Sequence, residues 1–198
     1  MNRNRSCSIL ISMFFVVNFV LLSGCTSDNS NNNSNSPSWM KNYASVHAVG
    51  TGEDDFWITF PSKNPSSGQE VTHLSWIVNT LKSKPLVFVC HKTGCAACTP
   101  QADRVKALWE TYGVDTAFYD LDLPYSGDYT KDTETKFNEA FYYDPNGPPS
   151  YIAFTGVFTL INDEGEVKIG WHTWEGDVAD SDMESWIKDS IYYYNMNS

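Results

Sequence analysis

The sequence predicts an α/β protein with a mixed β-sheet, and three observations carry that reading. The apolar run Leu86-Val87-Phe88-Val89 leads into Cys90-His91-Lys92-Thr93-Gly94-Cys95-Ala96-Ala97-Cys98-Thr99-Pro100, and a helical pattern from Gln101 to Tyr112 leads out of it. That order is a strand, a short loop and a helix N-terminus. Segments with strand and helix character then alternate along the chain, as strand, helix, strand, helix, strand, helix, hairpin, helix. Phe158 to Gly170 reads as the β-hairpin, with its turn at Asn162 to Gly165.

The chain has 198 residues, and residues 39–198 are enough for one core. Its formal charge is -11. Residues 1–24 hold Arg3 and Arg5 and no acid, so from Cys25 onward 11 basic residues face 24 acidic ones, a net of -13. That balance argues against nucleic acid and against a polybasic membrane patch.

Residues 1–24 read as a targeting segment. Arg3 and Arg5 precede a 14-residue apolar run, Ile9 to Leu22, interrupted only by Ser12 and Asn18. That run is short for a spanning helix. It ends in Leu22-Ser23-Gly24-Cys25, which resembles the lipobox of prokaryotic lipoproteins, where cleavage precedes a cysteine that is then lipidated. An ordinary signal peptide or an uncleaved anchor is the plainer alternative. Residues 25–38 are expected to be a disordered tether, because Asp28 to Ser38 is Asn/Ser-rich and has no apolar residue to bury.

Asp55 to Phe60 reads as the first strand, between the Gly50–Gly52 turn and Pro61. Ser67 and Glu70 have capping-box spacing, and Val71, Leu74, Val78 and Leu81 recur at helical spacing up to Pro85. In the helix after the cysteines, Ala102, Val105, Leu108 and Tyr112 share one face. Pro100 fits its first turn, where a missing N–H loses no partner, and Gly113 is the expected stop. Val114 to Leu121 is the next strand, and Phe137, Ala140 and Phe141 mark a third helix ending near Pro145. Ser181 and Glu184 form a second capping box, and Met183, Trp186, Ile187, Ile191 and Tyr194 form the stripe of the last helix.

Cys95 and Cys98 flank a helix N-terminus, and that placement has consequences. Two sulfurs at this spacing can close a small ring. The earlier one faces unpaired N–H groups and the positive end of the helix dipole. Such a field lowers a thiol pKa from roughly 8.5 towards roughly 3.5–7.5 and makes the thiolate a better leaving group.

The strand Leu86–Val89, the Cys95-Ala96-Ala97-Cys98 pair, the amphipathic helix after it and the Phe158–Gly170 hairpin together resemble the thioredoxin superfamily, over about Ser67 to Asn195. The resemblance implies a three-layer α/β/α fold with a central mixed sheet, filling residues 39–198. It implies a redox-active Cys95–Cys98 disulfide, with Cys95 as nucleophile and Cys98 as resolving thiol. It also implies a substrate groove beside a cis-proline. Pro149 is the candidate, although the hairpin register points instead to Gly156–Phe158, where there is no proline. Trp171 and His172 would border that groove, in a turn after the last strand. Three departures stand out: Gly94 replaces the usual Trp, Ala96-Ala97 carries neither Pro nor His, and Val89 stands where a buried carboxylate is common.

The remaining cysteines open other readings. With Cys7 in the leader and Cys25 lipidated, Cys90, Cys95 and Cys98 are left. Cys90 is expected to be a buried free thiol acting as a small hydrophobe. The spacing Cys90-x4-Cys95-x2-Cys98 also matches three ligands of a plant-type iron–sulfur cluster, and with His91 it suggests zinc or copper. The cluster needs a fourth cysteine, and none follows Cys98. No metal and no other cofactor is therefore expected. His91 and Lys92 either lower the Cys95 pKa or are solvated loop residues.

The expected function is a membrane-anchored, extracytoplasmic thiol–disulfide oxidoreductase on the outer face of the cell membrane, held by lipidated Cys25. Its partners would be protein or peptide thiols and disulfides and a membrane or extracytoplasmic electron donor or acceptor, and it would be a monomer that binds no nucleic acid. The alternatives are a non-catalytic binding module with a structural disulfide, and a metal-binding protein using Cys90, Cys95 and Cys98.

Overall fold

The structure is a computed structural model that describes residues 36–198. The expected leader, Cys25 and most of the Asn/Ser-rich tether lie outside the described residues. Ser36 donates to Asn195, and a 3-10 turn over Ser38–Asn42 begins one residue before the expected domain boundary. Among the described residues, no helix is long and apolar enough to cross a membrane.

The fold is mixed α/β, with one six-stranded sheet in the order β1-β2-β6-β5-β3-β4. The strands are β1 (Val49–Gly50), β2 (Phe56–Trp57), β3 (Leu86–His91), β4 (Ala117–Asp122), β5 (Phe154–Asp163) and β6 (Glu166–Glu175). The helices are α1 (Ser75–Leu81), α2 (Thr99–Tyr112), α3 (Lys131–Ala140) and α4 (Asp180–Asn197). β3 runs parallel to β4 and antiparallel to β5. All six β3 residues are buried, as expected of a central strand with helices on both faces.

Strand alternation sorts β3 between two cores. Leu86, Phe88 and Cys90 pack with Ile77 and Leu81 of α1 and Phe137 and Ala140 of α3. Val87 and Val89 pack on the other face, with Val105 and Tyr112 of α2 and Met183, Trp186, Ile187 and Ile191 of α4. The result is compatible with the three-layer, thioredoxin-like arrangement expected from the sequence.

Several boundaries differ from those read from the sequence. The strand expected over Asp55–Phe60 is only Phe56–Trp57, and it is the second, because Val49–Gly50 forms a strand before it. The Ser67–Glu70 capping box does not form. Gly68 takes φ +76°, Thr59 and Glu70 make an antiparallel bridge, and the chain stays extended until Leu74, whose N–H donates to Tyr143 Oη at 3.0 Å. The face α1 buries is Ile77 and Leu81, and Val78 is exposed. Gly113 ends α2 in the right-handed region, not as a left-handed cap. The second capping box is also absent. Ser181 lies inside α4, and the Glu184 carboxylate accepts from Tyr112 Oη at 2.5 Å.

Candidate functional site

β3 delivers the chain to one end of the sheet, and the cysteine loop turns there into α2. Gly94 has φ +98°, and a Cβ on it would stand 3.0 Å from the Tyr125 ring, so glycine is favoured on two counts. Tyr125 thus supplies an aromatic ring beside Gly94. The Cys95 N–H donates to the Lys92 carbonyl at 2.9 Å. The Cys95 carbonyl accepts from the N–H groups of Cys98 (3.0 Å) and Thr99 (3.2 Å) and from Thr99 Oγ1 (3.1 Å).

Cys95 and Cys98 form a disulfide, with Cα atoms 5.4 Å apart. The two sulfurs sit in different surroundings. Cys95 is half-buried in the loop, whereas Cys98, at the N-cap of α2, is fully buried. A reagent from solution therefore meets Cys95 first.

Gln101, which the sequence analysis did not single out, fixes α2 to the sheet. Its side chain is fully buried. Nε2 donates to Thr155 Oγ1 of β5 at 3.0 Å, while Oε1 accepts from the Val178 N–H and from Arg104, both at 2.9 Å. A glutamine three residues after the second cysteine looks like a solvated helix position, and nothing local reveals partners 54 and 77 residues away.

His91 is neither a solvated loop residue nor a free cation beside Cys95. It is buried at the end of β3, and its Nε2 lies 2.5 Å from Asp120 Oδ1. Lys106 of α2 holds the other Asp120 oxygen at 3.2 Å. Burial, the largest single effect, pushes the Asp120 carboxyl up, but the hydrogen bonds and charges of His91 and Lys106 together outweigh it and hold the carboxyl below its ordinary value. Asp122 accepts from the Thr93 N–H at 2.7 Å and from the Thr93 hydroxyl, which anchors the start of the cysteine loop. Lys92 instead lies over the Tyr125 ring, 5.7 Å from its centre.

Cys90 is the buried free thiol expected, and burial pushes its pKa well up. Its Sγ faces the Phe137 carbonyl in the α1/α3 core, whereas the next residue, His91, points to the opposite face. With Cys95 and Cys98 joined to each other, the Cys90/Cys95/Cys98 ligand set is not assembled. Among the described residues, no group of three or more His, Cys, Asp or Glu side chains could hold a metal ion.

The Pro148–Pro149 peptide is cis and Pro149 is exposed. It lies five residues before Phe154, the β5 partner of Cys90, so the register puts this segment at the same sheet end as the cysteine loop. Trp171 and His172 correct the expected turn. Residues 171–174 lie inside β6, which runs on to Glu175. Trp171 is wholly buried against Tyr143 and Phe158 and does not border a groove. Gly170 suggested a strand end, but it serves close packing: a Cβ there would stand 2.8 Å from Ile161 Cγ2.

His172 is 3% exposed, yet it contributes to the wall of a cavity of about 360 Å³. Its ring stacks on Trp57 at 3.9 Å, and Nδ1–H donates to the Asp55 carbonyl at 2.8 Å. Burial lowers its pKa to about 3, so the ring is neutral near pH 7.

No protein-family model matches the sequence, and no curated protein matches it. The fold and the site together define a mixed α/β protein with a C-x-x-C disulfide where its central strand passes into a helix.

Proposed function

We propose that this chain is a thiol–disulfide oxidoreductase working through the Cys95/Cys98 couple. One observation carries the reading: the bonded pair sits at a helix N-terminus with Cys95 half-exposed and Cys98 buried. This division suits a nucleophile that meets a substrate and a resolving thiol shielded from it. In the reduced form, the Cys95 thiolate attacks one sulfur of a substrate disulfide. A mixed disulfide forms, and the other substrate sulfur leaves as a thiolate. Cys98, as its thiolate, then attacks the Cys95 sulfur, closes the ring and releases the second substrate sulfur. Two electrons pass to the substrate, and the reverse sequence oxidises a substrate dithiol. The helix N-terminus favours the thiolate that attacks and later leaves.

The leader and Leu22-Ser23-Gly24-Cys25 support export and lipid anchoring through Cys25, placing the couple outside the cytoplasm. The substrates are then protein or peptide disulfides or dithiols of that compartment, with a membrane or extracytoplasmic redox partner. Alkylation of the reduced protein at graded pH tests the couple. Cys95 is expected to react first and with the lower apparent pKa, and earlier reaction of Cys98 would reverse the roles. If neither Cys95→Ser nor Cys98→Ser alters exchange with any disulfide, the proposal fails. Mass spectrometry of the native protein tests the anchor, which an unmodified Cys25 would rule out.

A further inference from the structure

A cavity lies beside the end of β6. Trp57, His172 and Trp174 form its aromatic wall, and Asp54 and Glu175 add carboxylates. Lys63 also lines it but is paired with Glu53. Its acids thus outnumber its bases, and its single cation is already engaged. At about 360 Å³ it lies near the lower end of side-chain and small-ligand pockets.

His172, which lines the cavity, has no free N–H. The neutral ring spends its one N–H on the Asp55 carbonyl, so Nε2 carries a lone pair and can only accept. Glu175 is held in place by the Tyr151 N–H at 2.6 Å and Asn146 Nδ2 at 2.9 Å, and each carboxylate oxygen retains acceptor capacity. Acceptors, net negative charge and indole rings together favour a cationic donor.

The cavity also has a fixed place relative to the disulfide. Glu175 pairs with Phe154, and Phe154 pairs with Cys90, so Glu175 and Cys90 are two strands apart on one cross-strand row. At about 4.8 Å per strand, that is about 10 Å. The cysteine loop leaves β3 at this same end of the sheet. An extended peptide spans that Glu175–Cys90 separation in about three residues at about 3.3 Å each, and Cys95 lies five residues beyond Cys90 in the loop.

We propose that this cavity is a specificity subsite for an arginine or lysine side chain a few residues from the cysteine of a polypeptide substrate. The inference rests on the exchange reading above and deepens it by naming a substrate class.

The test uses peptide pairs oxidised as mixed disulfides with glutathione. The two peptides of a pair differ only in arginine or its neutral isostere citrulline, placed from three to six residues from the cysteine across the set. The reduced protein should show a kcat/KM about tenfold higher for the arginine peptide of at least one pair, a difference of about 1.4 kcal/mol. The ratio should fall towards one in Asp54→Asn and in Glu175→Gln. Asp54 is exposed, so its variant keeps the test valid even if Glu175→Gln misfolds. Equal rates for the two peptides of every pair in the unaltered protein would overturn the subsite while leaving exchange intact. If neither the peptides nor a small disulfide is reduced, the exchange reading fails instead. The subsite is then decided by titrating a cysteine-free arginine peptide against the indole N–H resonances of Trp57 and Trp174. Saturable shifts that Asp54→Asn weakens support it, and unmoved resonances overturn it.

Discussion

Replacing Asp189 with asparagine tests how the chain before β1 is held to the domain. Asp189 lies on α4 and is fully buried. Its carboxylate accepts from Tyr43 Oη at 2.7 Å, the Val46 N–H at 3.0 and 3.1 Å, the His47 N–H at 2.7 Å and His47 Nδ1 at 2.7 Å. The His47 ring also stacks on Trp186 at 3.5 Å. Asparagine has nearly the same shape, but it keeps one acceptor oxygen and turns an NH2 donor towards the other donors. With its oxygen at the Oδ2 position, asparagine keeps the Val46 and both His47 contacts, now to an uncharged acceptor, and the Tyr43 hydroxyl loses its own. A buried donor left without an acceptor costs about 1–3 kcal/mol, so Asp189→Asn should cost about 1–3 kcal/mol. At about 2–4 °C per kcal/mol for a domain of this size, a central value of about 2 kcal/mol lowers Tm by about 4–8 °C. Urea melts with an unchanged m-value give the free energy, and native-state hydrogen exchange should show weakened protection at Val46 and His47. A loss under about 1 kcal/mol with both amides still protected would refute the reasoning.

Burial lowers the pKa of His172 to about 3 and that of His73 to about 4, while both revert to about 6.5 on unfolding. The unfolded chain therefore binds more protons between those values, so this stability is complete above about pH 6.5 and is lost as pH falls. Urea midpoints should drop between pH 7 and pH 5, and His172→Asn should flatten the slope; an unchanged slope would count against the His172 assignment. Cys98→Ser should accumulate mixed disulfides on non-reducing gels and Cys95→Ser few, because only the former keeps the accessible nucleophile. Gly94→Ala should destabilise the oxidised protein by about 1–2 kcal/mol, the cost of a left-handed side-chain residue, measured by thermal melting. Native protein treated with a thiol reagent should keep Cys90 unmodified until denaturant is added, and rapid labelling of the native state would contradict its burial.

Strand β3 and helix α2 were legible because their signals are local. Leu86–Val89 is a continuous apolar run, and Ala102, Val105 and Tyr112 repeat at helical spacing. The capping boxes misled because spacing alone does not supply a partner. Glu70 is taken by a bridge to Thr59, and Glu184 by Tyr112. Gly170 looked like a terminus because a glycine demanded by packing against Ile161 is indistinguishable in sequence from one demanded by a turn. Gln101, His91 and Asp189 were missed or misplaced for one shared reason. Each is a polar residue whose burial is made tolerable by partners far along the chain, and charge or periodicity does not encode those partners.

The bond between Cys95 and Cys98 joins residues only three apart. In the chain-entropy description, a ring of four residues restricts the unfolded ensemble by only about 2 kcal/mol, against about 4.7 kcal/mol for a loop of a hundred. The ring ties the cysteine loop to the first residue before α2 and staples no distant elements together. The sheet is held by β3 between β4 and β5, and the helices by the two cores. Opening the ring therefore removes a local constraint and leaves the architecture standing, so the oxidised and dithiol forms share one scaffold and differ by a hinge of a few residues.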